Sequence, residues 1–184
     1  MNWQLVDLDA IVPQPWRNGR GMTRELLALP DAESWRIRMS VADITAACNF
    51  SRFDGVERWF AVVDGGGVVL HTQGKERLLT RADPPLNFDG ASPVHCTLFV
   101  DSTRDFNLMA PPGRAQMWRV RGRRSFSASE GQLLAVYCHR ELAQLETAGQ
   151  RFEVPPRHLA WVQLDQAVAG TLVSDHALWM EVSP

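Results

Sequence analysis

Trp59-Phe60-Ala61-Val62-Val63, then Asp64-Gly65-Gly66-Gly67, then Val68-Val69-Leu70-His71, is the stretch whose reading decides the fold class. Its first five residues are apolar at every position, as in a strand covered on both faces. The glycine run interrupts that pattern, and the apolar run after it predicts a hairpin. Upstream, residues 35–41 alternate, with Trp35, Ile37, Met39 and Val41 on one side and Arg36, Arg38 and Ser40 on the other. Further short runs near 75–80, 94–100, 104–109, 115–121, 131–138, 158–164 and 171–182 are separated by Gly, Pro, Asp and Ser. That is the pattern of an all-β, antiparallel sandwich or barrel. Helical periodicity is scarce, and one short helix is expected over 140–147. Ala110-Pro111-Pro112-Gly113 cannot continue a strand ladder, so it divides the chain into 1–110 and 111–184, each β-rich.

The 184 residues are 45% hydrophobic and 22% charged, within the range of ordinary globular domains. A formal net charge of −2 gives no electrostatic reason to expect nucleic acid or an anionic membrane as partner. The basic run 113–124 reads as the solvated face of a hairpin. No apolar run approaches the roughly 20 residues of a membrane span, and the N-terminus has no signal-peptide pattern. Cys48, Cys96 and Cys138 are odd in number and widely spaced, which disfavours a disulfide framework and fits a reducing, cytoplasmic setting. No neighbouring feature in the sequence depresses the pKa of any of the three. The five histidines are never closer than 18 residues, so no His-x-His pair aims two imidazoles at one ion. No metal and no cofactor are expected.

Three segments carry candidate chemistry. In Pro15-Trp16-Arg17-Asn18-Gly19-Arg20-Gly21-Met22-Thr23-Arg24-Glu25-Leu26, Asn18 can donate and accept through one amide, and the arginines can fork onto an anion. In a strand over 22–29, Thr23, Glu25 and Leu27 share one face, although a surface turn with solvated charges fits equally. In residues 50–60, Arg58 sits with Phe60 and Val62, a guanidinium beside apolar space. It is placed either to meet a ligand carboxylate or to pair with Glu57, Asp54 or Asp64. In Arg104-Asp105-Phe106-Asn107-Leu108-Met109, Asp105, Asn107 and Met109 project together while Phe106 and Leu108 face away.

These segments together resemble the HutD/Ves family, named for proteins associated with histidine utilisation and for a stress-inducible relative. Pro15, Trp16, Asn18, Gly19, Gly21, Thr23 and Glu25 match its first motif. Phe50, Ser51, Phe53, Gly55 and Arg58 match its second, and residues 105–109 match its third in full. Cys48 and Asn49 stand where members commonly read Gly-Pro, and Asp54 where they read Pro. The resemblance implies a bicupin, two antiparallel double-stranded β-helix barrels packed as one unit with possible strand exchange. It also implies no cupin metal motif, and a regulatory binder of a pathway intermediate such as formylglutamate or urocanate.

The expected function is therefore metal-independent binding of a small anionic metabolite. Arg58 would hold a carboxylate, and Asn18, Thr23, Glu25, Asp105 and Asn107 would orient it. No catalytic residue is assigned on this reading, and Arg58→Ala should weaken binding while leaving the fold intact. The alternative is a metal-independent cupin enzyme, a hydrolase or isomerase, with Glu25 or Asp105 as general base. A second alternative is a protein-interaction module of a stress response. A homodimer is the default expectation for assembly.

Overall fold

The glycine run after Asp64 does not close a hairpin. In the computed structural model, which describes residues 1–16 and 20–184, it carries the chain from one sheet to another. Gly65 and Gly67 take φ of +84° and +94°, and a Cβ on Gly65 would lie 2.2 Å from the Ser102 carbonyl oxygen. Only glycine fits such a crossing. Gly65→Ala is expected to cost roughly 1–3 kcal/mol in chemical denaturation, and a cost near zero would mean that the arch relaxes.

The described strands are β1 (Gln4–Asp7), β2 (Gln14–Pro15), β3 (Gly21–Leu29), β4 (Ile37–Ile44), β5 (Cys48–Asn49), β6 (Glu57–Gly65), β7 (Val68–Thr72), β8 (Lys75–Leu79) and β9 (Leu86–Asp89). They continue with β10 (His95–Leu98), β11 (Thr103–Ala110), β12 (Ala115–Ala128), β13 (Leu133–Cys138), β14 (Ala143–Thr147), β15 (Gln150–Val154), β16 (His158–Gln163) and β17 (Val168–Val182). The one helical element among the described residues is a 3₁₀ turn at Leu8–Ala10. All pairings are antiparallel.

Two units result, one of residues 11–113 and one of 1–10 with 114–184. The chain passes between them at Gly113/Arg114, beside the Pro-Pro-Gly segment, and also at Ala10/Ile11. Residues 1–10, expected with the N-terminal part, belong instead to the C-terminal one, because β1 pairs with β16.

The unit of residues 11–113 has a six-stranded sheet, β2-β3-β4-β11-β6-β9, and a four-stranded sheet, β5-β10-β7-β8. Ile44, Phe60 and Val62 of the first meet Cys48, Val68, Leu70 and Cys96 of the second in one core, so the sheets form a nearly closed barrel. β6 is buried on both faces, as its apolar run requires. β4 differs from its alternating pattern, since Ser40 is as buried as Met39 and Val41. On its polar side Ser40 is turned to the barrel interior, whereas Arg38 is partly exposed and Arg36 exposed. A bulge between Glu25 and Leu27 shifts the β3 register, so Leu27 pairs with Met39 and leaves the face shared by Thr23 and Glu25.

In the other unit, the long β17 pairs with β12 along most of its length, with β13 at one end and β14 at the other. Its core includes Trp3, Phe126, Leu134, Val136, Leu145 and Trp179. The basic run is thus part of one strand, not a hairpin, with Arg124 stacked 4.1 Å over Trp118. Residues 143–147 are strand rather than helix. Ala143, Leu145 and Thr147 are buried on alternate positions, and Ala148 and Gly149, at φ of 47° and 76°, close a two-residue hairpin to β15.

Candidate functional site

Strand alternation sets one face of the six-stranded sheet. Asp105, Asn107 and Met109 on β11 lie opposite Val62, Phe60 and Arg58 on β6, and opposite Ala42, Ser40 and Arg38 on β4. Thr23 and Glu25 on β3 lie opposite Ala42 and Ser40. Thr23, Glu25, Arg58, Asp105 and Asn107 are therefore brought to one face, the face that carries the barrel core. Asn18 lies outside the described residues.

At the centre is a buried polar chain. Arg58 is 7% exposed, Asp105 1% and Asn107 2%. Arg58 donates from Nε (2.9 Å) and Nη2 (2.6 Å) to Asn107 Oδ1. Asn107 Nδ2 donates to Asp105 Oδ2 at 2.6 Å. The guanidinium lies 4.4 Å from the Phe50 ring centre and 5.6 Å from that of Phe88. Arg58 thus makes none of the surface pairs with Glu57, Asp54 or Asp64 that its sequence position suggests. Asp105 Oδ1 is buried with no hydrogen-bond partner among the described residues, a state costing about 1–3 kcal/mol.

Burial pushes the Asp105 carboxyl up to about 7, against the opposing pull of Arg58 and the Asn107 hydrogen bond. Burial likewise lowers Arg58 to about 10, so it stays a cation at neutral pH. Near pH 7 Asp105 can thus be an acceptor or, once protonated, a donor from Oδ1.

Two further candidates already have partners. Thr23 Oγ1 accepts from Trp16 Nε1 at 2.6 Å, and Glu25 Oε2 accepts from Arg38 Nε at 2.6 Å. Arg38 is close enough to Arg58 to depress its pKa. The Glu25–Arg38 pair, 31% and 20% exposed in its side chains, is more open to solvent than the Arg58 chain. Arg24, from the same segment, turns away and bonds Asp43 at 2.7 Å, with Arg104 on the other oxygen at 2.5 Å.

Sequence spacing alone hides Arg38, Phe50 and Phe88 as members of this site. It also hides two pairs across the small sheet. Cys48 lies opposite Cys96, and His71 opposite His95 with ring centres 5.8 Å apart. Cys48 does have a neighbour that depresses its pKa, contrary to expectation. The opposed Cys96 thiol lowers it, and the charges of Arg20 and Arg58 act in the same sense. His71 is held by Glu76 and Thr97, and His95 by Asn49. His71, Glu76, His95 and Asn49 border a groove of about 580 Å³ that also includes Lys75 and Arg52. Among the described residues no three His, Cys, Asp or Glu side chains converge as a metal site would require.

The HutD family model matches residues 9–180. A 21.2 kDa uncharacterized protein of the hutC 3′ region of Pseudomonas putida is 33% identical over 145 residues, 74% of this chain and 75% of that protein. Protein Ves of Cronobacter sakazakii is 33% identical over 102 residues, 55% of this chain and 56% of its own length. A solved HutD from Pseudomonas fluorescens superposes with a TM-score of 0.83 at 27% identity, covering 99% of this chain and 98% of that one. A cupin 2 barrel protein from Leptotrichia buccalis has a TM-score of 0.60 at 7% identity, covering 98% of this chain and 96% of that one, a likeness of fold alone. The nearly closed barrel and a family match across nearly the whole sequence agree: this chain belongs to the HutD family, on a cupin fold.

Proposed function

We propose that the protein binds a small carboxylate metabolite without a metal, at the interior face of the barrel formed by residues 11–113. The observation that carries this reading is the unpartnered Asp105 Oδ1, buried in one polar chain with the Arg58 guanidinium. Protonated Asp105 would donate to the ligand and Arg58 would supply the charge, with Arg38 and Glu25 at the more open side. A solved relative from P. fluorescens is described in a formate condition, formate being the smallest carboxylate. The names of that relative and of the P. putida protein support a link to histidine utilisation, and a regulatory role in the cytoplasm is part of the same proposal.

The test is calorimetry and thermal shift with formate, formylglutamate, urocanate and glutamate, each with and without EDTA. One acid should stabilise the protein in proportion to its concentration, with no effect of EDTA. Because the bound anion favours protonated Asp105, affinity should fall about tenfold per pH unit above 7. No response to any acid would sink the reading and favour an interaction module.

A second reading follows from the same carboxyl. A general base poised near 7 suits proton abstraction, so turnover of the bound acid, lost in Asp105→Asn while binding persists, would make the protein an enzyme.

A further inference from the structure

Cys48 and Cys96 are 48 residues apart in sequence yet directly opposed in the antiparallel pairing of β5 with β10. Opposed residues in such a ladder have Cα atoms about 4.5–5.5 Å apart, inside the span of about 4.4–6.8 Å that a disulfide bridges. Both thiols are free and point into the core of residues 11–113. Both belong to the same buried core cluster, in which each is 1% exposed or less. Nothing in the proposed carboxylate site requires either of them.

We propose that Cys48 and Cys96 form a peroxide-oxidisable dithiol, a modification site that joins β5 to β10 through a disulfide. Cys48 is the attacking member. The opposed Cys96 thiol and the charges of Arg20 and Arg58 lower its pKa, which favours its thiolate over that of its partner. Burial and the pair's own interaction hold the proton on Cys96. The Cys48 thiolate attacks one oxygen of hydrogen peroxide, cleaving the O–O bond to give Cys48 sulfenic acid and hydroxide. Cys96 then loses its proton and attacks the Cys48 sulfur. The S–S bond forms and the sulfenic oxygen departs as water. In all, two thiols and one peroxide give one disulfide and two waters, the sulfurs being oxidised and the peroxide reduced. The two cysteines are 1% and 0% exposed, which selects an oxidant of nearly water size over a bulky disulfide.

Cys138 is an internal control. It is fully buried, has no opposing cysteine, and burial with Glu141 nearby pushes its thiol up to about 12. The experiment is intact-mass and peptide mapping of the folded protein after hydrogen peroxide, with and without later reductant, alongside Cys96→Ser trapped with dimedone. The expected result is a loss of two hydrogens, a reducible cross-link between the Cys48 and Cys96 peptides, and unmodified Cys138. Cys96→Ser should accumulate the dimedone adduct at Cys48. Absence of the cross-link in the wild type, or oxidation of Cys138 as fast as that of Cys48, overturns the proposal, and neither readout depends on a variant folding.

Discussion

Arg58→Ala should lower the stability of the protein by about 3–5 kcal/mol at pH 8, the cost of removing one partner from a buried charged network. Three losses combine. Asn107 Oδ1 loses both of its donors, and Asp105 loses the cation that favours its ionised form. Phe50 and Phe88 also lose the guanidinium packed against them. At pH 5, where Asp105 is already protonated, the electrostatic part should vanish and the cost should shrink. Arg58→Met keeps an apolar stem and should recover part of the packing. The expectation that Arg58→Ala would weaken binding without touching the fold therefore does not suit a side chain only 7% exposed. Urea denaturation of wild type and both variants at the two pH values decides it. A change below about 0.5 kcal/mol, the range of ordinary surface substitutions, would mean that Arg58 is in effect solvated.

The second large effect is the pH dependence of stability. The Asp105 carboxyl is raised in the folded state from 3.8 to about 7, so between those values the folded protein holds a proton that the unfolded chain has released. Stability from this group is fully present below pH 3.8. It falls as pH rises from there and is lost once pH passes about 7, an overall decline of roughly 4 kcal/mol. Asp43 acts in a different window. Although burial raises its pKa, hydrogen bonds and charge from Arg104 and Arg24 outweigh that and hold it below the usual carboxylate range. Its contribution is present above 3.8 and lost only as pH falls further. Asp105→Asn should flatten the slope between pH 4 and 7 and leave the acid limb unchanged. A wild-type profile level from pH 4 to 7 would show that Asp105 is not desolvated as its burial implies.

The strands were legible because period-two burial is local. Asp105 and Asn107 project together in the structure as their spacing requires, and the all-apolar 59–63 is covered on both sides. What was not legible depends on partners far away in the chain. Whether Gly65-Gly66-Gly67 turns back or crosses between sheets depends on Thr103, whose hydroxyl accepts from the Gly67 amide 36 residues away. The bulge that turns Leu27 from the Thr23 face leaves no mark on the local pattern. The strand at 143–147 was masked by residues with helical propensity, while the Ala148–Gly149 turn that fixes it lies just beyond. Arg58 was rightly placed beside Phe60, but its partner is an amide 49 positions downstream. The cysteine and histidine pairs likewise exist only once β10 is in register with β5 and β7.

The pairing of β1 with β16 has a consequence for assembly during synthesis. Residues 11–113 hold every strand of both their sheets in one uninterrupted segment, so that unit can reach its own core while the remainder is still in the ribosome. The other unit is discontinuous. Gln4–Asp7 emerges before residues 11–113 but cannot find its neighbours until His158–Trp161 has been made. Until then the opening strand is an unpaired edge, and charge keeps such an edge from mispairing with other chains. Asp7 and Asp9 are the acidic groups available there. In the finished fold Arg157 meets Asp9, so the same carboxylate that guards the waiting strand becomes part of its anchor.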